Sequence, residues 1–181
     1  VVDAKEPFTR RHSERVAELA VRLATALGWS TVRCAQLHEA GLLHDVGKIG
    51  IPDHVLASAE RLTPSEYELV KGHSALGAQM LEDVIDAEQV SWVRGHHERA
   101  DGRGYPDAIA GEATPDGARV RAVAEACAAM TTPRAYAPAL SWEDALAECR
   151  REAGHQFDPA VVDALELLAR TDALPPGAGR A

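Results

Sequence analysis

Five histidines and one aspartate constrain this chain more than any other feature: His12, the pair His44-Asp45, His73 and the pair His96-His97. Each sits inside or at the end of a segment with helical periodicity, all within roughly the first half of the sequence. Imidazole nitrogens and a carboxylate suit first-row divalent metals. Six such ligands exceed what one ion takes from protein when open positions must remain. The pattern therefore suggests two ions sharing one carboxylate, an arrangement suited to phosphoryl transfer.

Aromatic residues make up only 4% of the chain and hydrophobic residues 46%. The core must then be aliphatic, built from Ala, Leu and Val, and that bias favours helices over strands. The 181 residues fit one domain with a well-buried core. No run of about 18 apolar residues is present, so no membrane span is expected. No signal-peptide pattern is visible and the first residue is not Met, so the chain reads as a domain of something longer. Cys34, Cys127 and Cys149 are widely spaced and form no CxxC, which reads as reduced, buried thiols of a cytoplasmic protein. A net charge of −9 argues against DNA as a partner. It leaves room for a small phosphorylated substrate, because bound metals supply local positive charge. Only three lysines accompany sixteen arginines. Lys71 reads as a solvated helix residue, whereas Lys48 shares a short motif with His44-Asp45.

Helix signals run along the whole chain. Val16, Leu19, Ala20, Leu23 and Leu27 form a stripe over 12–27, which begins at Ser13-Glu14, with His12 opening it, and stops at Gly28. Further helices are expected over 31–45, 54–57, 64–72, 74–85, 87–97, 115–131, 141–153 and 159–174. Thr63-Pro64-Ser65-Glu66 carries a capping box with proline at the first helical position, and Ser141 reads as a cap. Residues 98–114, rich in Gly, Asp and Pro, form an ordered loop, with room for a short hairpin. The tail 175–181 reads as a linker to a missing partner domain, leaving 1–174 as the folded unit. No internal repeat or sustained strand is visible.

An adjacent His-Asp at a helix C-terminus brings an imidazole and a two-oxygen carboxylate within reach of one ion, and the carboxylate can bridge two. Neighbouring helical residues diverge by about 100°, so His96 and His97 can serve one ion only near a helix end, which the Gly-rich stretch after them supplies. His12 and His73 carry little signal alone. His38, His54 and His155 read as surface or loop residues.

Together these strings resemble the HD-GYP domain, a subgroup of the HD metal-dependent phosphohydrolase superfamily. The resemblance covers residues 3–165. It runs through Glu6-Pro7-Phe8-Thr9, Leu42-Leu43-His44-Asp45-Val46-Gly47-Lys48-Ile49-Gly50-Ile51-Pro52 and Lys71-Gly72-His73-Ser74. It continues with His96-His97-Glu98-Arg99, Asp101-Gly102, Gly104-Tyr105-Pro106, Gly117-Ala118-Arg119 and Gly154-His155-Gln156-Phe157-Asp158-Pro159. The resemblance implies an all-α bundle of about seven helices with an ordered Gly-Tyr-Pro loop. It implies two divalent metal ions, iron first and manganese second, and hydrolysis of cyclic di-GMP to pGpG or GMP in bacterial signalling. It also implies fusion to a regulatory domain, with a homodimer left open. One ion would be held by His12, His44, Asp45 and Glu125, the other by Asp45, His73, His96 and His97. Asp45 and Lys48 would be the catalytic pair, and Lys48, Tyr105 and Arg134 would meet the substrate.

The chain departs from the family pattern in places. Relatives usually carry Val-Ala-Asp, two residues, then a second Asp; here Val123-Ala124 is followed by Glu125 and then Ala128. The extra methylene of Glu125 moves its carboxylate by about 1.5 Å, one bond length. Ala128, and Ala137 in the string Arg134-Ala135-Tyr136-Ala137, stand where polar groups are expected to hold a dinucleotide. Phe8 replaces the Glu associated with a third ion. Ligation is thus expected to persist while substrate contacts weaken. Hydrolysis of another nucleotide or phosphoester, or a regulatory module that binds metal or ligand with little activity, stay as alternatives.

Overall fold

The computed structural model of the protein describes residues 7–58, 60–133 and 138–175, with side chains from His12 onward. The fold is all-α, and among the described residues there is no strand, only the isolated bridges His97–Tyr105 and Ala153–Phe157. Helix α1 spans Pro7–Ala26 and α2 spans Thr31–Leu43; a 3-10 turn, Val46–Gly50, leads to the short α3, Asp53–Leu56. Helices α4 (Pro64–Lys71), α5 (His73–Leu81) and α6 (Ala87–Arg94) follow. After the loop come α7 (Asp116–Met130), α8 (Trp142–Arg151) and α9 (Pro159–Arg170). No helix among the described residues is long and apolar enough to cross a membrane.

The core forms where α1 lies against α2, α7 and α9. Val16, Leu19, Ala20 and Leu23 repeat at helical spacing and are fully buried, facing a core that includes Val120, Val123, Ala124 and Cys127 of α7 and Val161, Val162 and Leu165 of α9. Each buried Val or Leu contributes about 1.5–3 kcal/mol. Small residues on α7 allow the close approach: a Cβ at Gly117 would overlap the ring of Trp92.

Most helix boundaries have visible causes. Gly28 ends α1 with φ +83°. Thr63 and Glu66 form the expected capping box of α4, and Ser141 caps α8 through the backbone N–H of Asp144. Asp86 and Gln89 make a second capping box at α6. One expectation fails: α1 begins at Pro7, so His12 sits inside the helix rather than opening it. The polar Ser13-Glu14 resembled a cap, but Ser13 is buried and proline at the first position begins the helix a turn and a half earlier.

Gly47 sets the position of the 3-10 turn. A Cβ there would overlap the His73 carbonyl oxygen and the Gly77 nitrogen, so only glycine lets this turn lie against α5. That contact holds the His44-Asp45 corner beside His73. Cys34, Cys127 and Cys149 are buried and free, with the sulfurs of Cys127 and Cys149 3.5 Å apart.

Candidate metal centre

Three helix ends deliver the histidines. His44 is the C-terminal cap of α2, His73 opens α5, and His96-His97 follow Gly95 at the end of α6. In each case a local hydrogen bond orients the ring. Nδ1 of His44 lies 2.8 Å from the Gly41 carbonyl, Nδ1 of His73 2.6 Å from that of Val70, and Nδ1 of His96 2.6 Å from that of Val93. A carbonyl can only accept, so all three Nδ1 atoms carry the proton and Nε2 presents its lone pair. Such outer hydrogen bonds commonly fix the tautomer of a ligating histidine.

The lone pairs converge. His73 Nε2 and His96 Nε2 are 3.2 Å apart, and the donor atoms of His73, His96 and His97 all lie within 4.8 Å of one another. Two neutral rings facing each other through lone pairs at this distance repel unless a cation lies between them. A second proton is opposed by the surroundings. Burial drives the pKa of His96 well down, with His97 and Arg121 adding to it, and burial with His73 and Arg121 pushes His97 down to about 3. Burial likewise lowers His73. The donor set therefore fits a divalent metal, and this cluster can hold one.

Asp45 stands at the junction. Its Oδ2 lies 3.0 Å from His44 Nε2 and accepts from Lys48 Nζ at 2.7 Å, while Oδ1 lies 3.4 Å from His73 Nε2. Burial would raise its pKa, but its charged and hydrogen-bonding neighbours, the donating Lys48 ammonium among them, outweigh that and keep it ionised. The close approach of His44 Nε2 to a carboxylate again asks for a cation, since burial lowers the pKa of His44 too. The His44 and His96 rings meet edge to face at 5.2 Å, so the two halves share a wall.

The other half is built differently. His12 Nε2 lies 2.6 Å from Glu125 Oε1, and Arg121 Nη2 donates to Glu125 Oε2 at 3.0 Å. Burial pushes the Glu125 carboxyl up, but His12 and Arg121 bring it down to about 2. Arg121 is fully buried; desolvation lowers its pKa while Glu125 and Asp45 raise it.

Tyr105 brings the Gly-Tyr-Pro loop to the centre. Its ring stacks on His97 with centroids 4.6 Å apart, and its backbone N–H donates to the His97 carbonyl at 3.2 Å. The Tyr105–Pro106 peptide is cis. Burial pushes the Tyr105 hydroxyl well above its ordinary value, so it stays protonated and able to donate. Composition gave no sign of what shapes this loop. The buried Glu98 does so: its carboxylate accepts from the backbone N–H groups of Asp107 (2.7 Å), Ala108 (3.1 Å) and Ile109 (3.2 Å). Arg94 adds a two-pronged ion pair to Asp107. Residues 155 and 156 accept from the backbone of Asp101 and Ala100, and Arg119 pairs with Asp158, so the late motifs buttress the loop.

The structure thus gathers His44, Asp45, Lys48, His73, His96, His97 and Tyr105, with the His12–Glu125 pair electrostatically linked to His44. His54 and His155 are exposed and His38 is half-buried, and Lys71 pairs with Glu68. Ala128 is fully buried, on the face of α7 that packs into the core. Arg134, Ala137 and the tail 176–181 lie outside the described residues, as does the Phe8 side chain. Arg121 and Glu98 were not singled out in the sequence. An Arg among Ala and Val on α7 was a signal for the first; the second had none beyond its place after His96-His97.

The chain matches the HD domain family over residues 1–161. It is 36% identical over 167 residues to 3'3'-cGAMP-specific phosphodiesterase 1 of Vibrio cholerae, covering 91% of this chain and 39% of that protein. It is 38% identical over 168 residues to a cyclic di-GMP phosphodiesterase response regulator of Xanthomonas campestris, covering 91% and 44%. A cyclic di-GMP phosphodiesterase of Thermotoga maritima is 37% identical over 163 residues, covering 88% and 44%. The chain therefore spans less than half the length of these relatives. Among solved structures, an HDG"Y"P protein from Bdellovibrio bacteriovorus aligns with a TM-score of 0.70 at 21% identity, over 89% of this chain and 52% of that one. The HD domain of a Listeria monocytogenes phosphodiesterase in complex with cyclic-di-AMP aligns at 0.66 and 17%, over 97% and 96%. At these identities the solved structures establish the fold.

Proposed function

Because the chain belongs to the HD domain family, in its HD-GYP group, we propose that it is a metal-dependent phosphodiesterase that hydrolyses a cyclic dinucleotide, cyclic di-GMP first. The observation that carries the reading is the buried set of Nε2 lone pairs converging beside an ionised Asp45. The named relatives act on cyclic di-GMP or 3'3'-cGAMP, which supports a 3'–5' linked cyclic dinucleotide as the substrate class.

Two divalent ions, iron or else manganese, would supply Lewis acidity and a water of lowered pKa. His73, His96 and His97 with Asp45 would hold one; His12, His44 and Glu125 with Asp45 would hold the other. Lys48 is partly exposed beside Asp45 and can turn its ammonium to a substrate phosphate. Tyr105, protonated and stacked on His97, walls the pocket and can donate to the dinucleotide. Arg134 would add a cation. The greater length of the relatives supports fusion to a regulatory domain, and the buried free thiols agree with a cytoplasmic site.

Protein purified without oxygen should carry iron or manganese and release pGpG or GMP from cyclic di-GMP, and Asp45→Ala should abolish both. Metal-loaded protein inert toward cyclic di-GMP and 3'3'-cGAMP, yet active on bis(p-nitrophenyl) phosphate, would replace this reading with a different phosphoester substrate.

A further inference from the structure

The two halves of the centre use their donors in different ways, and we propose that Arg121 is the cause: its buried guanidinium is a built-in counter-ion for Glu125 that makes the His12–Glu125 half a weak, exchangeable metal position beside a tight one at His73, His96 and His97. The proposal rests on the two-ion reading above.

At the tight half the donors are unsatisfied by protein. Nε2 lone pairs of His73 and His96 face one another at 3.2 Å with no hydrogen between them, so a cation relieves a repulsion. At the Glu125 half only His44 Nε2 keeps a free lone pair, and His12 and Glu125 are already satisfied. Oε1 accepts from His12 Nε2 at 2.6 Å and Oε2 accepts from Arg121 at 3.0 Å. An ion entering there must displace the proton on His12 Nε2 and share Glu125 with a guanidinium that stays charged.

Charge bookkeeping points the same way. Asp45 and Glu125 bring two negative charges, and Lys48 and Arg121 bring two positive ones, within one set of contacts. The carboxylates are balanced before any ion arrives. Lys48 can swing away, since its side chain is partly exposed; Arg121, 2% exposed, cannot. Its Nε and Nη1 have no acceptor among the described residues, so the guanidinium is held by Glu125 alone through one nitrogen. A buried cation so poorly satisfied by hydrogen bonds acts chiefly through its charge, and like charges at short range repel a divalent ion. The consequence is a centre whose second ion depends on free metal concentration, so activity would follow metal supply.

Manganese titration of metal-depleted protein, read by the free-ion electron paramagnetic resonance signal, tests this without reference to turnover. Wild type should bind one ion tightly and a second at least tenfold more weakly. Arg121→Met should tighten the second ion at least tenfold, about 1.4 kcal/mol, and leave the first unchanged. Arg121→Lys, keeping the charge, should behave as wild type. If Arg121→Met has no cooperative thermal transition, Arg121→Gln carries the same comparison. Equal, tight binding of two ions by wild type, or an unchanged second site in the neutral variant, overturns the role of Arg121 while leaving the two-ion reading intact. A single ion in wild type and in every variant overturns the two-ion reading and this proposal with it.

Discussion

The ring of Tyr105 stacks on that of His97, with 27° between their planes, so the Gly-Tyr-Pro loop and the metal centre share a surface. The loop has no strand or helix of its own before Gly111 to hold this geometry. Its position comes from the buried carboxylate of Glu98, which satisfies three successive backbone donors, and from the single bridge between His97 and Tyr105.

Glu98→Ala should therefore loosen the loop without touching a ligand. Each charge-assisted hydrogen bond is worth about 1.5–3 kcal/mol. Hydrogen exchange at the amides of Asp107, Ala108 and Ile109 should accelerate by at least tenfold, and turnover should fall as Tyr105 loses its seat. Unchanged exchange at those three amides would show that Arg94 and the 155–158 segment hold the loop unaided.

Gly47→Ala should act on the fold and the centre together. The added Cβ must push the 3-10 turn off the backbone of His73 and Gly77, and overpacking of this kind costs about 1–3 kcal/mol. Because the same turn carries Asp45 beside His73, metal affinity should drop as well. Denaturant midpoints and metal titration check the pair; a destabilised chain with unaltered metal affinity would separate the turn from the centre.

How much of this was legible in the sequence depends on the kind of contact. The helices were readable because their apolar stripes and caps are local: Thr63 with Glu66, Ser141 and Gly28 behave as their residue types require. The clustering of His44, Asp45, His73, His96 and His97 was expected from the motifs taken together, and the structure brings these side chains to one place. The start of α1 was misplaced because Ser13, which looked like a cap, is buried against the core. The roles of Glu98 and Arg121 were hidden because their partners lie further along the chain or their effect depends on burial.

Acid should destabilise the metal-free protein in a defined window. His97 is held down to about 3 by burial, against about 6.5 for an unfolded chain. Between those values the unfolded state binds more protons than the native one, so stability falls as pH drops from 6.5 toward 3. The slope is up to about 1.4 kcal/mol per pH unit for each such ring. His44, His73 and His96 are shifted in the same direction. Glu125, held at about 2, adds to the loss only below its unfolded value near 4.5. Urea midpoints in chelator should fall steadily from pH 7 to pH 5, and His97→Gln should flatten the slope. A level profile over that range would mean the rings titrate as in an open chain.

Lys48 provides the last expectation. Its ammonium sits 2.7 Å from Asp45 Oδ2, close enough to reach a phosphate held beside the same carboxylate. If it meets the phosphoryl oxygens as charge develops, its effect is independent of the bases attached. Lys48→Ala should then lower kcat on cyclic di-GMP and on bis(p-nitrophenyl) phosphate by a similar factor, about 10²–10³, as for removal of one donor to a developing oxyanion. Metal content should be retained or raised, since the substitution frees Oδ2 and removes a positive charge. Loss of activity on the dinucleotide alone would instead place Lys48 against the nucleotide. Loss of metal would make it a support for Asp45, and comparing kcat, KM and metal content across the two substrates distinguishes the three roles.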